Sequence, residues 1–259
     1  MSCAPGNFNK LRLATGLLLL GLIISSLNPT PVSSNPLVLP DGEKGNMSDQ
    51  NGSAFQFSFD SSDITVSKIY CIGDSLTDAG VYEIELMALL GPDWLTIEIG
   101  KSADTTADML ARFQADVIDY GDAAYVIIWG GANDIRSLPV EESQANLQAM
   151  YTMAHDAGIK VVAVTITPLN SEPAPNKLKM LAINSWIQST AINVDFFADA
   201  YTAINDPDNP GNILPDYDSG DHAHLSHLGY AKVAETIYDA VTWTGLNKLL
   251  LTLVTRLLQ

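Results

Sequence analysis

The chain has 259 residues, of which 47% are hydrophobic and 8% aromatic, as expected for a globular protein with one large domain or two small ones. Thirty acidic residues against thirteen basic ones leave a formal charge of −17 at pH 7. Such a surface repels phosphate groups and offers no basic stripe, so the composition argues against nucleic acid and anionic lipid as partners.

The first 34 residues have the pattern of an export signal. Lys10 and Arg12 precede the apolar run LATGLLLLGLII (13–24), and small residues and prolines follow it. We therefore predict that residues 1–34 are a signal peptide and that the protein is secreted or otherwise extracytoplasmic. An uncleaved membrane anchor is the alternative, although the apolar run is short for the ~20 residues that span a bilayer.

Residues 35–62 are rich in Ser, Asn, Gly, Asp and Pro and lack hydrophobic periodicity, which predicts a disordered linker. The chain contains only two cysteines, Cys3 and Cys71. Because Cys3 would leave with the signal peptide, we expect Cys71 to be a small, buried apolar residue without a disulfide partner.

Between residues 63 and 243, short apolar runs alternate with helical patterns. The predicted strands are SKIYCIG (67–73), LTIEIG (95–100), AAYVIIWG (123–130), KVVAVTI (160–166) and NVDFF (193–197); the predicted helices cover 81–90, 106–120, 141–157, 177–192 and 225–242. Continuous apolar strands are buried on both faces, and alternation of strand and helix makes the sheet parallel. The predicted fold is α/β, a three-layer α/β/α sandwich, whose ligands bind beyond the carboxyl ends of the strands.

Two of these predicted strand ends carry candidate catalytic residues. The first strand runs into GDSLTDAG, where Ser75 would lie in a tight turn before a helix with its hydroxyl exposed; the alternative is an ordinary turn. The third strand runs into WGGANDI, where the neutral amide of Asn133 could stabilise an oxyanion without titrating. The alternative for Asn133 is a side chain that satisfies its own loop.

The stretch GDHAHLSHLGY (220–230) contains three of the four histidines. Asp221 and His224 have a spacing that places a carboxylate on one ring nitrogen while the other faces outward, which is the pair that a serine nucleophile requires. A metal site formed by His222, His224 and His227 with Asp218 or Asp221 is the alternative. No HExxH pattern supports it, so we expect neither a metal nor a cofactor.

Four blocks in this order, GDSLT, GKSADTT, GGANDI and DHAHLSHLGY, resemble those of the SGNH, or GDSL-type, esterases and lipases. The resemblance spans residues 68–241 and implies a flavodoxin-like sheet. It also implies that Ser75 is the nucleophile of a triad with His224 and Asp221, and that Asn133 and the Ser75 amide line the oxyanion hole. The family's second block carries a glycine donor where this chain has Ala103; Gly100 is the fallback donor. A positive φ would strain Ala103.

The resemblance implies a secreted carboxylic ester hydrolase that forms an acyl-enzyme on a small-molecule ester. The acidic, polar segment NDPDNPGNILPDYD (205–218) favours a sugar or a neutral head group near the site. TPLNSEP (167–173) has the pattern of an ordinary βα loop and not of a bulky acyl-binding lid, so we expect a short-chain or acetyl ester, with a lysophospholipase-like activity as a further possibility. The alternative is a non-catalytic or transferase relative of the fold that binds carbohydrate or acyl ligands.

The C-terminal residues 244–259 form a predicted amphipathic helix outside the resemblance. Its apolar positions, which helical periodicity places on one face, are Leu246, Leu249, Leu250, Leu253, Val254, Leu257 and Leu258. One interpretation is a helix that packs on its own domain. The other is an exposed face that contacts a membrane interface or a second copy of the chain.

Overall fold

The computed structural model of the protein describes residues 45–48, 54–57, 66–170 and 172–257, with the backbone alone in 45–48, 54–57 and 243–257. The predicted signal peptide lies outside these ranges, and so do the side chains of the predicted amphipathic segment. Export and the membrane or self-association contact through Leu246 to Leu258 therefore stay predictions.

The chain divides into two units, residues 1–60 and 61–259. In the first unit, β1 (Gly45–Ser48) pairs antiparallel with β2 (Ala54–Phe57). Both strands lie within the predicted linker, and the alternating pattern of AFQF in β2 suits a strand. The other residues of the predicted linker up to 62 lie outside the described residues.

A parallel sheet of five strands forms the centre of the second unit. The strands are β3 (Ser67–Gly73), β4 (Trp94–Glu98), β5 (Ala123–Trp129), β6 (Lys160–Val164) and β7 (Phe196–Ala198). They lie in the order β4-β3-β5-β6-β7, with every neighbouring pair parallel. This is the flavodoxin-like order, in which the topological switch point lies between β3 and β5. The predicted α/β fold is confirmed.

Helices connect the strands. They are α1 (Ser75–Asp78), α2 (Val81–Leu90), α3 (Thr106–Phe113), α4 (Asp134–Ser137), α5 (Val140–Asp156), α6 (Ala174–Ser189), α7 (Ala200–Ile204) and α8 (His227–Leu257). A π-helical turn (Gln114–Ile118) follows α3, and a 3-10 turn (Pro215–Tyr217) precedes α8.

Alternate residues of each strand enter two separate cores, one on each face of the sheet. Tyr70 and Ile72 of β3 pack with side chains of α3, α5 and α6, whereas Ile69 and Cys71 pack with side chains of α2 and α8. Cys71 is fully buried and unpaired, as the sequence predicts. Burial on both faces requires the near-continuous apolar strands of this sequence.

Three predicted helices differ from those in the structure. The helix predicted over 177–192 runs from Ala174 to Ser189, three residues earlier at both ends, because it begins directly after Pro173. The helix predicted over 106–120 ends as an α-helix at Phe113 and continues as the π turn. Phe113 and Val117, four residues apart, are both buried, so the helical face towards the core continues through the π turn. The last helix begins at His227 because Leu225 is held in an antiparallel bridge to Asp218.

The segment after Gly245 is not a separate helix in the structure. The backbone of α8 continues through Gly245 to Leu257 without a break. Within the part of the chain that the structure describes, no helix is both long and apolar enough to span a bilayer.

Candidate active site

Ser75 occupies the first position of α1, directly after β3. Asp74 caps this turn, since its Oδ1 accepts a hydrogen bond from the N–H of Leu76 at 3.0 Å. A Cβ on Gly73 would lie 2.5 Å from the carbonyl oxygen of Trp129, so only glycine allows β3 to approach β5 this closely. The glycine and aspartate before Ser75 therefore have structural roles in presenting it.

The side chains of Ser75, His224 and Asp221 form a continuous hydrogen-bonded series. Oγ of Ser75 lies 2.9 Å from Nε2 of His224, and Nδ1 of His224 lies 2.5 Å from Oδ2 of Asp221. Ser75 lies near the start of the domain's sequence, whereas Asp221 and His224 lie near its end. The loop before α8 brings His224 to the end of β3.

The Asp221 carboxylate fixes the orientation of the imidazole. Its Oδ1 accepts hydrogen bonds from the backbone N–H groups of His224 at 2.7 Å and Ala223 at 2.9 Å. These bonds, together with the contact from the His224 ring, hold the pKa of Asp221 well below its usual range. Because an ionised carboxylate only accepts, Nδ1 of the neutral ring carries the proton and Nε2 can accept the proton of Ser75.

Three candidate oxyanion donors each have an N–H group that is not used within the described residues. Asn133 follows β5, and its Nδ2 donates to the carbonyl oxygen of Asp104 at 2.9 Å, which leaves its second N–H available. The backbone N–H groups of Ser75 and Ala103 donate to no other described residue. These three groups can together receive a developing oxyanion.

Ala103 has a φ of +69°, in the left-handed region that favours glycine. Its backbone therefore has the conformation that the resemblance assigns to a glycine, and the methyl group strains the turn. The fallback donor is less suitable, because the N–H of Gly100 already donates to the carboxylate of Glu98. A Cβ on Gly100 would lie 2.3 Å from the backbone nitrogen of Asp78, so this glycine is needed for close packing.

Arg112 of α3 holds this turn in place, a role that the sequence analysis did not find. Its guanidinium donates to the carbonyl oxygens of Ile99 at 2.7 Å and Gly73 at 3.1 Å, and to the carboxylate of Asp104 at 2.7 Å. These bonds connect the turn that contains Ala103 to the end of β3. The i,i+4 spacing of Arg112 and Asp116 was the signal available in the sequence, and it indicates only a helical ion pair.

Asp134 was also missed. It is fully buried beside Asn133 and accepts hydrogen bonds from the hydroxyl and the N–H of Thr106, the latter at 3.0 Å. The contact joins the start of α3 to the start of α4, and so fixes the second and third sequence blocks relative to each other.

The three clustered histidines face three different carboxylates. His222 Nδ1 lies 2.9 Å from Asp218, His224 lies against Asp221, and His227 Nε2 lies 3.3 Å from Glu85. Among the described residues, no three His, Cys, Asp or Glu side chains are arranged to hold a metal ion. The rings do not converge as the metal alternative requires.

Two carboxyl groups are buried, that of Asp74 before α1 and that of Glu83 in α2. Oδ2 of Asp74 and both carboxyl oxygens of Glu83 have no hydrogen-bond partner within the described part of the chain. Burial raises the pKa of Asp74 to about 6 and that of Glu83 to about 8. Neither group is close enough to Ser75 to hydrogen-bond it in this structure.

Comparison with known proteins agrees with this geometry. Residues 71–232 match the model of the GDSL-like Lipase/Acylhydrolase family. The platelet-activating factor acetylhydrolase IB subunit alpha1 of Rattus norvegicus is 23% identical over 176 residues, which cover 66% of this chain and 74% of that protein.

Solved structures of similar fold include an acetylxylan esterase and a GDSL-like lipase. The acetylxylan esterase of Geobacillus stearothermophilus superimposes with a TM-score of 0.60 at 21% identity, covering 68% of this chain and 95% of the other. The GDSL-like lipase of Bacteroides thetaiotaomicron has a TM-score of 0.58 at 21% identity, covering 69% and 89% respectively.

Proposed function

Because this chain belongs to the GDSL-like lipase/acylhydrolase family and is a carboxylic ester hydrolase, we propose that it cleaves its esters through Ser75, His224 and Asp221. The 2.9 Å contact between Oγ of Ser75 and Nε2 of His224 carries this proposal. The distance lies within the range that a general base needs to take a proton from a nucleophile.

Proton transfer to His224 allows Oγ of Ser75 to attack the ester carbonyl carbon. The oxygen of the resulting tetrahedral anion receives hydrogen bonds from the amide of Asn133 and the N–H groups of Ser75 and Ala103. Protonated His224, beside the ionised Asp221, then gives its proton to the departing alcohol oxygen. Water loses a proton to the same ring, attacks the acyl-enzyme and releases the acid.

We propose a short acyl group, such as acetyl, as the substrate's acid part. Two similar proteins carry names that refer to acetyl esters, the acetylhydrolase and the acetylxylan esterase. An apolar cavity of about 190 Å³ lies elsewhere, towards the amino ends of β3, β4 and β5, where Ile69, Trp94 and Tyr125 line it. Ser75 follows the carboxyl end of β3 and is not among the residues that line this cavity, so the cavity does not adjoin the proposed nucleophile.

The proposal predicts serine-dependent hydrolysis of p-nitrophenyl esters. We expect the full chain to release p-nitrophenol fastest from esters of two or four carbons and more slowly from those of eight or twelve. Ser75→Ala should lower kcat by at least about 10⁴-fold, because removal of the nucleophile leaves only binding and oxyanion stabilisation. The measurement is the absorbance of p-nitrophenolate under steady-state conditions.

Ser189→Ala is the matched control, since the hydroxyl of this exposed serine of α6 bonds, among the described residues, to the carbonyl oxygen of Ser185 and to the hydroxyl of Thr190 alone. It should retain the activity of the unmodified protein. Equal rates for Ser75→Ala and the unmodified protein would exclude the proposed nucleophile. Loss of activity in the presence of EDTA would instead support the alternative of a metal site formed by the clustered histidines.

A further inference from the structure

The loop before α8 contains a second histidine–aspartate pair beside the proposed catalytic one. Nδ1 of His222 lies 2.9 Å from Oδ2 of Asp218, and the N–H of His222 donates to Oδ1 of the same carboxylate at 3.1 Å. The two pairs lie in one tight loop, which is closed by the bridge between Asp218 and Leu225 and by the bond from Ser219 N–H to the carbonyl oxygen of His224 at 3.1 Å.

His222 is held in this position against a conformational cost. Its φ is +71°, and an L-residue in the left-handed region costs on the order of 1 kcal/mol. Asn170 supports the arrangement, since its N–H donates to the carbonyl oxygen of His222 at 3.0 Å and its Nδ2 to the Asp218 carboxylate at 2.8 Å. A strained residue next to a reactive centre indicates a functional constraint on where its ring lies.

The Asp218 carboxylate also determines what the ring presents. Burial alone would raise the pKa of Asp218. The hydrogen bonds from the His222 ring and from the backbone N–H of Gly220 outweigh burial and hold this pKa below its usual range. Because the ionised carboxylate accepts from Nδ1–H, the neutral ring presents the lone pair of Nε2 outward. The side chain of His222 is 61% exposed, so this nitrogen can accept a hydrogen bond from a hydroxyl group.

His222 and Asp218 form one wall of an open cleft of about 650 Å³ that also contains Asn170, Asp206, Asn209 and Asn212. Most of its lining residues carry amide or carboxylate groups, while their carbon atoms together with Ile213 and Pro215 supply the larger, apolar part of its surface. The ammonium of Lys177 next to the cleft is already bound to Gly211 O at 3.0 Å and to Asn212 Oδ1 at 2.8 Å. Uncompensated carboxylates disfavour a phosphate, and mixed donors and acceptors around an apolar surface suit a neutral polyhydroxy ring.

We propose that this cleft binds the alcohol part of the ester as a neutral sugar residue and that Nε2 of His222 accepts a hydrogen bond from one of its hydroxyl groups. The inference rests on the proposed function of Ser75 and adds the class of alcohol that the enzyme selects. His222 is thus a specificity residue, while His224, two positions later, takes part in the bond cleavage.

The test compares two acetyl esters that differ only in their alcohol part, p-nitrophenyl acetate and an acetylated methyl xyloside, with the full chain. The structure predicts that His222→Asn lowers the ratio of kcat/KM for the sugar ester to kcat/KM for p-nitrophenyl acetate about tenfold, mainly through KM, because one hydrogen bond to substrate is lost. Asparagine tolerates a positive φ, so the loop should keep its backbone. His155→Asn, at the exposed end of α5, is the matched control and should leave the ratio unchanged.

Asn209→Ala provides a second variant. This exposed cleft residue lies outside the loop between Asp218 and Leu225, so its replacement should leave that loop folded. It too should lower the ratio. An unchanged ratio in both variants, with both esters hydrolysed, would overturn the cleft assignment while leaving the proposed function intact. Faster hydrolysis of an acetylated glycerophosphocholine than of the sugar ester would also overturn it.

Binding without turnover separates the two proposals. The acetylated methyl xyloside should shift the imidazole proton resonances of His222 in Ser75→Ala protein, and His155→Asn in the same background should bind equally well. Absence of esterase activity together with this binding would reject the proposed function and support the cleft. Absence of any shift would reject the cleft.

Discussion

Ala103 has a backbone conformation that suits the proposed oxyanion hole but strains its own methyl group. Its φ is +69°, the left-handed conformation that suits the glycine donor of the family's second block, and its N–H is a proposed donor to the oxyanion. An alanine in this region is strained by about 1–2 kcal/mol relative to a right-handed conformation, whereas glycine is not. The turn is maintained by its surroundings rather than by its own preference.

We predict that Ala103→Gly stabilises the folded protein by up to about 1 kcal/mol, since relief of strain exceeds the added flexibility of the unfolded chain. The free energy of unfolding in urea measures this change, and kcat on p-nitrophenyl acetate should not decrease. Ala111→Gly, in the exposed middle of α3, is the control and should instead destabilise by roughly 0.5–1 kcal/mol. Equal destabilisation by both substitutions would contradict the strain at Ala103.

Asn133 supplies the side-chain donor of the proposed oxyanion hole. Removal of such a donor costs roughly 10²–10³ in kcat, so Asn133→Ala should lower kcat by that factor with a much smaller change in KM. Steady-state kinetics on p-nitrophenyl acetate give both parameters. A variant that folds with the same melting temperature and keeps full kcat would show that Asn133 only bonds to the Asp104 carbonyl oxygen.

The residues of this site were largely predictable because their chemistry requires particular side chains after particular strands. Ser75, His224 and Asp221 could be identified from sequence blocks, and the structure brings them within hydrogen-bonding distance. The positive φ of Ala103 could not be identified from the sequence, because it depends on bonds from elsewhere in the fold. The pairing of His222 with Asp218 likewise depends on the closed loop and not on spacing alone.

At the scale of elements, α3 acts as the support of the oxyanion turn. Arg112 on this helix binds two carbonyl oxygens and the Asp104 carboxylate at once, and its side chain is only 11% exposed. A planar guanidinium has several N–H groups in fixed directions and can donate to all three acceptors at once. The ammonium group of lysine lacks this fixed, planar arrangement. The position of the turn therefore depends on a residue that does not face the substrate.

We predict that Arg112→Lys lowers kcat about ten- to a hundredfold, because the turn carrying Ala103 shifts relative to β3. KM should change less, since the helix does not contact the cleft beside His222. Arg136→Lys is the matched control, because its ion pair with Glu172 is half exposed and lies away from the turn. If the two variants lose kcat equally, positioning by Arg112 is not the cause.

Elements were predicted well where burial determines them and less well where local bonds do. The strands β3, β5 and β6 are buried on both faces, and their apolar runs gave their positions within two residues. The start of α8 was set two residues later by the bridge at Leu225, and the helix after Phe113 changes from α to π hydrogen bonding. Hydrophobic periodicity reveals neither a bridge between distant residues nor this change in hydrogen bonding.

At the scale of the whole molecule, Glu83 couples folding to pH. A charged residue of α2 is expected on the surface, yet Glu83 is 2% exposed with no hydrogen-bond partner for its carboxyl oxygens among the described residues. Burial, with a further contribution from the charge of Glu98, raises its pKa from 4.5 to about 8. The folded protein therefore keeps this group neutral at pH values where the unfolded chain has released its proton.

A raised folded-state pKa gives a stability that is complete below the unfolded value of 4.5 and is lost as pH rises through about 8. Asp74, with its pKa raised to about 6, contributes with the same sign at lower pH. We predict that Glu83→Gln removes most of the decrease between pH 6 and 9. The gain at pH 9 should be several kcal/mol, since each unit of pKa shift corresponds to ~1.4 kcal/mol.

Urea unfolding of both proteins at pH 5, 7 and 9 measures this difference, because titrations common to both cancel in the comparison. The curves should be close at pH 5, where Glu83 is neutral in the folded state and glutamine resembles it, and should separate as the pH rises. Glu141→Gln, an exposed residue in the first turn of α5, should instead follow the unmodified protein at every pH. Parallel curves for Glu83→Gln and the unmodified protein would mean that the carboxyl group of Glu83 is solvated in solution, and the core between α2 and the sheet would then have to admit water.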